Sequence, residues 1–190
     1  MIRNLLFGAF ITTTLFLTGC SSSPVFKDPH KKNQSLVLAY INMSDADSEA
    51  TWLRAKTIVK RGKKPEWYSF GFVRDEKLGP ILHNQYVEPG KLKLDAFGGN
   101  ATGWFDNAYY QYNFPAQGKG MGALEIKKPG IYYAGSFKYI PVETGFFEQG
   151  KFDIERVKSP TEKEVLTAFL KHVEDGKWKK MIQARIKKLK

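Results

Sequence analysis

Cysteine and histidine are nearly absent: the 190-residue chain has one cysteine, Cys20, and three histidines, His30, His83 and His172. One thiol cannot close an intramolecular disulfide, so packing alone must hold the fold, and metal or redox sites built on paired cysteines are excluded. None of the histidines lies in a nucleophile or metal motif. There is no HExxH, GxSxG or Walker loop, and no group of histidines and carboxylates at metal-ligand spacing. The glycine-containing stretches 98–103 and 117–122 lack the strand-loop-helix context of a phosphate cradle and read as loops. Long apolar runs are missing too: the stretch from Leu5 to Leu17 has 13 apolar or hydroxylic residues, short of the roughly 20 that span a bilayer as a helix. Acids are outnumbered, 19 against 30 lysines and arginines, for a formal charge of +11. These shortages argue against an enzyme and give no reason to expect a cofactor or a metal. A glycosidase pair among Glu88, Asp95, Asp106 and Glu125 stays open, because sequence does not fix the distance between two carboxylates.

What is present begins with the N-terminus. Arg3 precedes the Leu5–Leu17 stretch, and the order of a basic flank and a short apolar region fits a secretory signal. The stretch ends in Leu17-Thr18-Gly19-Cys20, which resembles the lipobox of bacterial lipoproteins. The resemblance implies that residues 1–19 are removed and that Cys20 becomes an acylated N-terminus. Two or three acyl chains, each worth about 0.8 kcal/mol per buried CH₂, make such an anchor stable. Ser21, in place of the Asp of inner-membrane lipoproteins, implies the outer membrane, with the protein facing the periplasm or the cell surface. The alternatives are an ordinary signal peptide with a chance cysteine, or a small buried cysteine.

Residues 20–34 read as the lipidated Cys20 and a flexible tether, SSSPVFKDPHKKNQ after the cysteine, without hydrophobic periodicity. His30 falls here as a solvated polar residue. Fully extended, the 14 residues after Cys20 reach roughly 45–50 Å.

From 35 to 157 the pattern is that of strands. SLVLAYIN at 35–42 is nearly continuous in apolar residues and suits a strand buried on both faces. Elsewhere the period is two: Leu92, Leu94 and Ala96 oppose Lys91, Lys93 and Asp95, and Phe152 and Ile154 alternate with Asp153 and Glu155. Segments 67–74, 104–114, 123–127 and 131–141 complete the set, and 50–60 fits either a strand or a short helix. Seven or eight short strands predict a mainly β domain, an antiparallel sandwich of transthyretin-like or Ig-like type. Pro89-Gly90 and Pro129-Gly130 each sit between strand-like runs and read as type II turns, with Gly supplying positive φ. The arrangement resembles the transthyretin-like or carboxypeptidase-regulatory-like sandwiches of several small bacterial lipoprotein families, over about half of the mature chain. It carries no catalytic residues with it.

At 158–190 the period changes to a C-terminal helical extension. Ser159-Pro160-Thr161-Glu162 predicts a helix start, with Ser159 as N-cap and Glu162 completing a capping box. Val165, Leu166, Phe169 and Val173 form an apolar stripe, Asp175-Gly176 ends or bends the helix, and Trp178, Met181, Ile182, Ile186 and Leu189 form a second stripe. From Gly176 onward there are seven lysines or arginines and no acid. One reading lays Lys179, Lys180, Lys187 and Lys188 on anionic lipid, lipopolysaccharide phosphates or another acidic envelope polymer. The favoured one packs Trp178 and its neighbours on the sheet and leaves the lysines solvated, since the acyl chains already hold the protein. Nucleic acid is not expected as a partner of an exported chain.

The richest segment for recognition is 104–114, WFDNAYYQYNF, with six aromatics in 11 residues. Trp104, Tyr109, Tyr110 and Tyr112 are candidates for stacking on a glycan. Aromatics fall on both faces of the strand, which favours core packing for most of them. The expectation is therefore a membrane-anchored, non-catalytic binding or assembly module of the cell envelope. The competing readings are an envelope enzyme acting on glycan or lipid, which needs the carboxylates to meet His83 in one cleft, and an accessory subunit of a secretion or envelope complex, which needs an exposed apolar patch.

Overall fold

A computed structural model of the chain describes residues 32–46, 48–102, 107–114, 123–142 and 151–189. The processing residues Leu17, Thr18, Gly19 and Cys20, the tether residue His30, and Trp104 and Asp106 lie outside them. The described part is mainly β, with two helices at the C-terminal end. The strands are β1 (Ser35–Asn42), β2 (Trp52–Thr57), β3 (Trp67–Asp75), β4 (Gly79–Val87), β5 (Gly90–Thr102), β6 (Asn107–Asn113), β7 (Leu124–Ile126), β8 (Ile131–Val142) and β9 (Lys151–Val157). The helices are α1 (Glu162–Leu170) and α2 (Lys177–Lys188). Among the described residues no helix is long and apolar enough to cross a membrane.

The strands follow one path, β6-β5-β2-β3-β4-β1-β8-β9, with β7 added beside β5. The sheet curls into a half-barrel, so the expected pair of separate sheets is replaced by one continuous surface. The bend falls at β3, whose Trp67–Phe70 half pairs with β2 and whose Gly71–Asp75 half pairs with β4. The pairing is antiparallel except between β1 and β8, which run parallel. At the ends of the path, side chains of β6 meet those of β8 and β9. Tyr112 lies 4.9 Å from both Tyr139 and Phe152, ring centre to ring centre.

Neither Pro-Gly pair makes the turn expected of it. Pro89-Gly90 joins β4 to β5 and Pro129-Gly130 joins β7 to β8, and in each case the two strands pair with different neighbours. The chain crosses from one half of the sheet to the other instead of reversing into a hairpin. Positive φ is accordingly found at Gly62, Gly79 and Gly135, not at Gly90 or Gly130.

Segment 50–60 resolves as strand β2, with Leu53 and Ala55 fully buried. The alternation expected in β5 breaks at Asp95, where a register shift against β2 places Phe97, not Ala96, opposite the buried Leu53. Such an extra residue is a β-bulge.

Two apolar clusters flank the sheet. The concave side gathers Val37, Ala39 and Ile41 of β1 with Leu53, Phe70, Leu82, Phe97, Phe137 and Ile154. The convex side packs Leu36, Leu38, Val73 and Ile81 against Val165, Leu166, Phe169, Trp178 and Ile182 of the helices. The nearly continuous apolar sequence of β1 follows from this, since both of its faces are covered. Both clusters are assembled from residues between Leu36 and Leu189, so a chain begun at Ser21 retains every one of them.

The helix start lies two residues later than expected. Thr161 is the N-cap, and its box closes with Glu164. Pro160 is held outside the helix, its carbonyl accepting from the Ser136 and Tyr133 hydroxyls, after a cis Ser159-Pro160 bond. α1 stops at Leu170, before Asp175-Gly176, and α2 begins directly after Gly176.

Candidate functional site

The alternation of β2 turns Leu53 and Ala55 to the core and leaves Trp52, Arg54 and Lys56 on the outer face of the sheet. Register brings other outward side chains beside them: Trp67 opposite Lys56 on β3, Gly98 opposite Trp52 on β5, and Tyr109 opposite Asn100 on β6. Trp52 lies over Gly98, so closely that a Cβ there would come within 2.7 Å of the indole. Tyr109 runs parallel to it within 7°, ring centres 5.9 Å apart, and is 64% exposed. The stacked pair forms an aromatic platform whose exposed member is Tyr109. The indole Nε1 of Trp52 is buried and has no hydrogen-bond partner among the described residues.

Next along β2, Arg54 and Lys56 each sit 4.9 Å from the ring centre of Trp67, itself 49% exposed. Asp95 binds both cations, Arg54 at 2.7 and 3.0 Å and Lys56 at 2.7 Å. Partial burial raises its pKa, but the hydrogen bonds from Lys56 and Arg54 outweigh this and hold the carboxyl below the ordinary carboxylate value. One acid thus organises two cations, and the patch keeps a positive excess. Gln111 and Asn113, which share the outward face of β6, are joined by a 3.2 Å hydrogen bond.

Among the described aromatics expected to stack on a ligand, Tyr109 is the exposed one. Tyr110 is half-buried, 6.2 Å from Tyr112, and Tyr112 packs against Phe97, Tyr139 and Phe152. Burial raises the Tyr112 hydroxyl to about 12, so it stays protonated. Trp104 lies outside the described residues. Trp52, Arg54 and Lys56 lie on β2 and Trp67 on the next strand, β3, and sequence did not mark them because 50–60 fits a helix as well as a strand. Their signal was the aromatic-basic alternation of β2, readable only once residues 50–60 are known to be a strand.

The lysines proposed for anionic contact sit on α2, whose Trp178 and Ile182 are buried against the sheet. Lys179 pairs with Asp175 at 2.8 Å, while Lys180, Lys187 and Lys188 are exposed. The apolar side of the helix is therefore occupied, and only its basic side faces outward.

His83 lies under α1, 5.4 Å from the Phe169 ring. Burial first, and then the charge of His172, push its pKa down to about 4 against a hydrogen bond with the Phe72 backbone. None of the described carboxylates Glu88, Asp95 and Glu125 acts on it: Asp95 binds Arg54 and Lys56, Glu125 faces Lys127 at 3.8 Å, and the Glu88 N–H lies 3.5 Å from the Tyr68 hydroxyl. Among the described residues, no three of His, Cys, Asp and Glu are grouped to hold a metal ion.

Compared with known proteins, the chain matches no family model, no curated protein and no solved structure.

Proposed function

We propose that this chain is a lipoprotein of the bacterial outer membrane, acylated on Cys20, whose domain is a non-catalytic binding module for an anionic saccharide polymer of the envelope. Descent from a transthyretin-like or carboxypeptidase-regulatory-like sandwich belongs to the same proposal, because β3 divides its pairing between two halves that share one core. The observation that carries the binding role is the platform of Trp52 and the exposed Tyr109, continued by Arg54 and Lys56 of β2 and the exposed Trp67 of β3. Flat aromatic faces suit the C–H faces of sugar rings, and the cations suit carboxylates or phosphates.

The test uses the chain from Ser21 on polygalacturonate and on neutral dextran. Retention on the acidic polymer alone is expected. Tyr109→Ala and Trp67→Ala should each weaken it by roughly tenfold, the upper end of what one aromatic contact contributes, with an unchanged melting temperature. Binding to neither polymer, or equal binding by the variants, would contradict the assignment.

A further inference from the structure

Strand direction places the point where the chain comes in and its most basic loop at one end of the half-barrel. β1 starts at Ser35, opposite Val87, the last residue of the antiparallel β4. Going on through antiparallel pairs, β3 starts at that end, β2 finishes there at Thr57, and β5 starts there at Gly90. β8, parallel to β1, also begins there. The links 58–66, 88–89 and 127–130 therefore share the end at which the tether joins the domain. Direct bonds confirm the closeness: the Leu36 N–H donates to the Gly130 carbonyl at 3.0 Å, and the Gly130 N–H to the Ser35 hydroxyl at 3.2 Å.

The composition of this end is unusual. Residues 58–66 read IVKRGKKPE, with four cations, one acid, and two aliphatic side chains left in water, Ile58 51% and Val59 38% exposed. The loop is tied to the sheet by the Ile58 N–H on the Lys91 carbonyl at 2.7 Å and turned by Gly62 at φ 87°. Lys60, Arg61, Lys63 and Lys64 are all exposed. On the neighbouring side, Lys128 of the β7–β8 link and Arg185 and Lys188 of α2 line a groove of about 360 Å³, with Met181 among its apolar walls. Arg185 is held by Glu162 at 2.7 Å; among the described residues no acid lines the groove. Among the described residues, the other acids at this end are Glu88 in the β4–β5 link and Glu125 beside Lys127.

We propose that this end docks on an anionic bilayer, with Ile58 and Val59 at the boundary between headgroups and acyl chains and with Lys60, Arg61, Lys63 and Lys64 on the headgroup phosphates. Charge and apolar exposure fit that occupant. So does chain connectivity, since the segment leading to Cys20 joins the domain on the same side; in this the inference rests on the lipoprotein reading above. Its consequence is an orientation. The strands run away from the membrane, and the Trp52–Tyr109 platform, beside Gly98 and Asn100, stands eight to ten residues further along β5, about 26–33 Å from the docked end.

The experiment sediments the unacylated chain from Ser21 with vesicles of phosphatidylcholine alone and of phosphatidylcholine with one quarter phosphatidylglycerol, at low and high salt. Binding only to the anionic vesicles, reversed by salt, is expected. Each cation near such a surface contributes roughly fivefold in affinity, so Arg61→Gln with Lys64→Gln should cost about thirtyfold. The charge-matched control, Lys77→Gln with Lys180→Gln, should cost less than about twofold. Replacing Ile58 and Val59 by Ser should weaken binding without changing its salt dependence. Equal losses from the two double substitutions, or no preference for anionic vesicles, would overturn the proposal. Because the chain used has no anchor, that failure is separate from a failure of Cys20 to be acylated.

Discussion

Replacing Trp178 by Ala tests whether the basic C-terminal helix is a structural part of the domain. The indole is 1% exposed and packs in the convex cluster with Phe169, Ile182 and the β1 residues Leu36 and Leu38. A buried aromatic side chain removes about 150–250 Å² from water, worth about 4–6 kcal/mol at roughly 25 cal/mol per Å². Partial collapse of the site and the methyl retained by Ala bring the expected loss to about 3–5 kcal/mol. That is a large share of the roughly 5–15 kcal/mol available to a domain. Urea unfolding followed by far-ultraviolet circular dichroism measures it, since tryptophan fluorescence changes with the substitution itself. Lys187→Gln, on the exposed side of the same helix, should stay within about 0.5 kcal/mol of the parent. A loss below about 1 kcal/mol for Trp178→Ala would show that the helix does not depend on the sheet, and its burial would then have to be rejected.

Two further substitutions bear on the domain. His83 is neutral in the folded state down to about pH 4, whereas its ordinary value is 6.5, so between those values the unfolded chain takes up a proton that the native state does not. Stability should be level above about pH 6.5 and fall by about 3 kcal/mol as the pH drops towards 4, and His83→Gln should remove that slope. A further loss, of about 2 kcal/mol, should follow below pH 3.8 as Asp75 is protonated, because the Lys171 ammonium, and after it the Lys77 and Leu78 N–H groups, hold its pKa near 2. Denaturant titrations across pH would show both steps, and a parent curve level from pH 7 to 4 would contradict the placement of His83. Gly98→Ala should cost about 2–3 kcal/mol, since its Cβ would meet the Tyr110 carbonyl at 1.9 Å and Trp52 at 2.7 Å; it should also weaken polygalacturonate binding by tilting Trp52. Retention of both stability and binding would show that the platform does not depend on this close approach.

Local patterns in the chain foretold local structure. The apolar run of β1 read correctly as a strand covered on both faces, and the alternation at 104–114 separated the core residue Phe114 and the half-buried Tyr110 and Tyr112 from the outward Tyr109, Gln111 and Asn113. Of the helical stripes, Val165, Leu166, Phe169, Val173, Trp178 and Ile182 are buried, and Met181, Ile186 and Leu189 are half-buried. Misreadings came where two local solutions are equally good. Ser159-Pro-Thr-Glu162 and Thr161-Glu-Lys-Glu164 both spell a capping box, and only the Ser136 and Tyr133 hydroxyls on the Pro160 carbonyl select the second. A Pro-Gly pair serves a hairpin or a crossing between sheet halves, and the choice belongs to pairing far away in the chain. The candidate site was hidden for the same reason. Trp52, Trp67 and Tyr109 are neighbours only through the β3-β2-β5-β6 register, which a bulge at Asp95 shifts by one residue.

The reading as an anchored binding module turns on Cys20. Intact-mass analysis of the protein extracted from membranes, with Cys20→Ala beside it, tests this most directly. The account predicts a mature chain that begins at Cys20 and carries acyl chains on it, and a variant that stays unacylated with residues 1–19 attached. A Cys20→Ala protein that matures as the parent does, or a parent recovered without acyl mass, would contradict it.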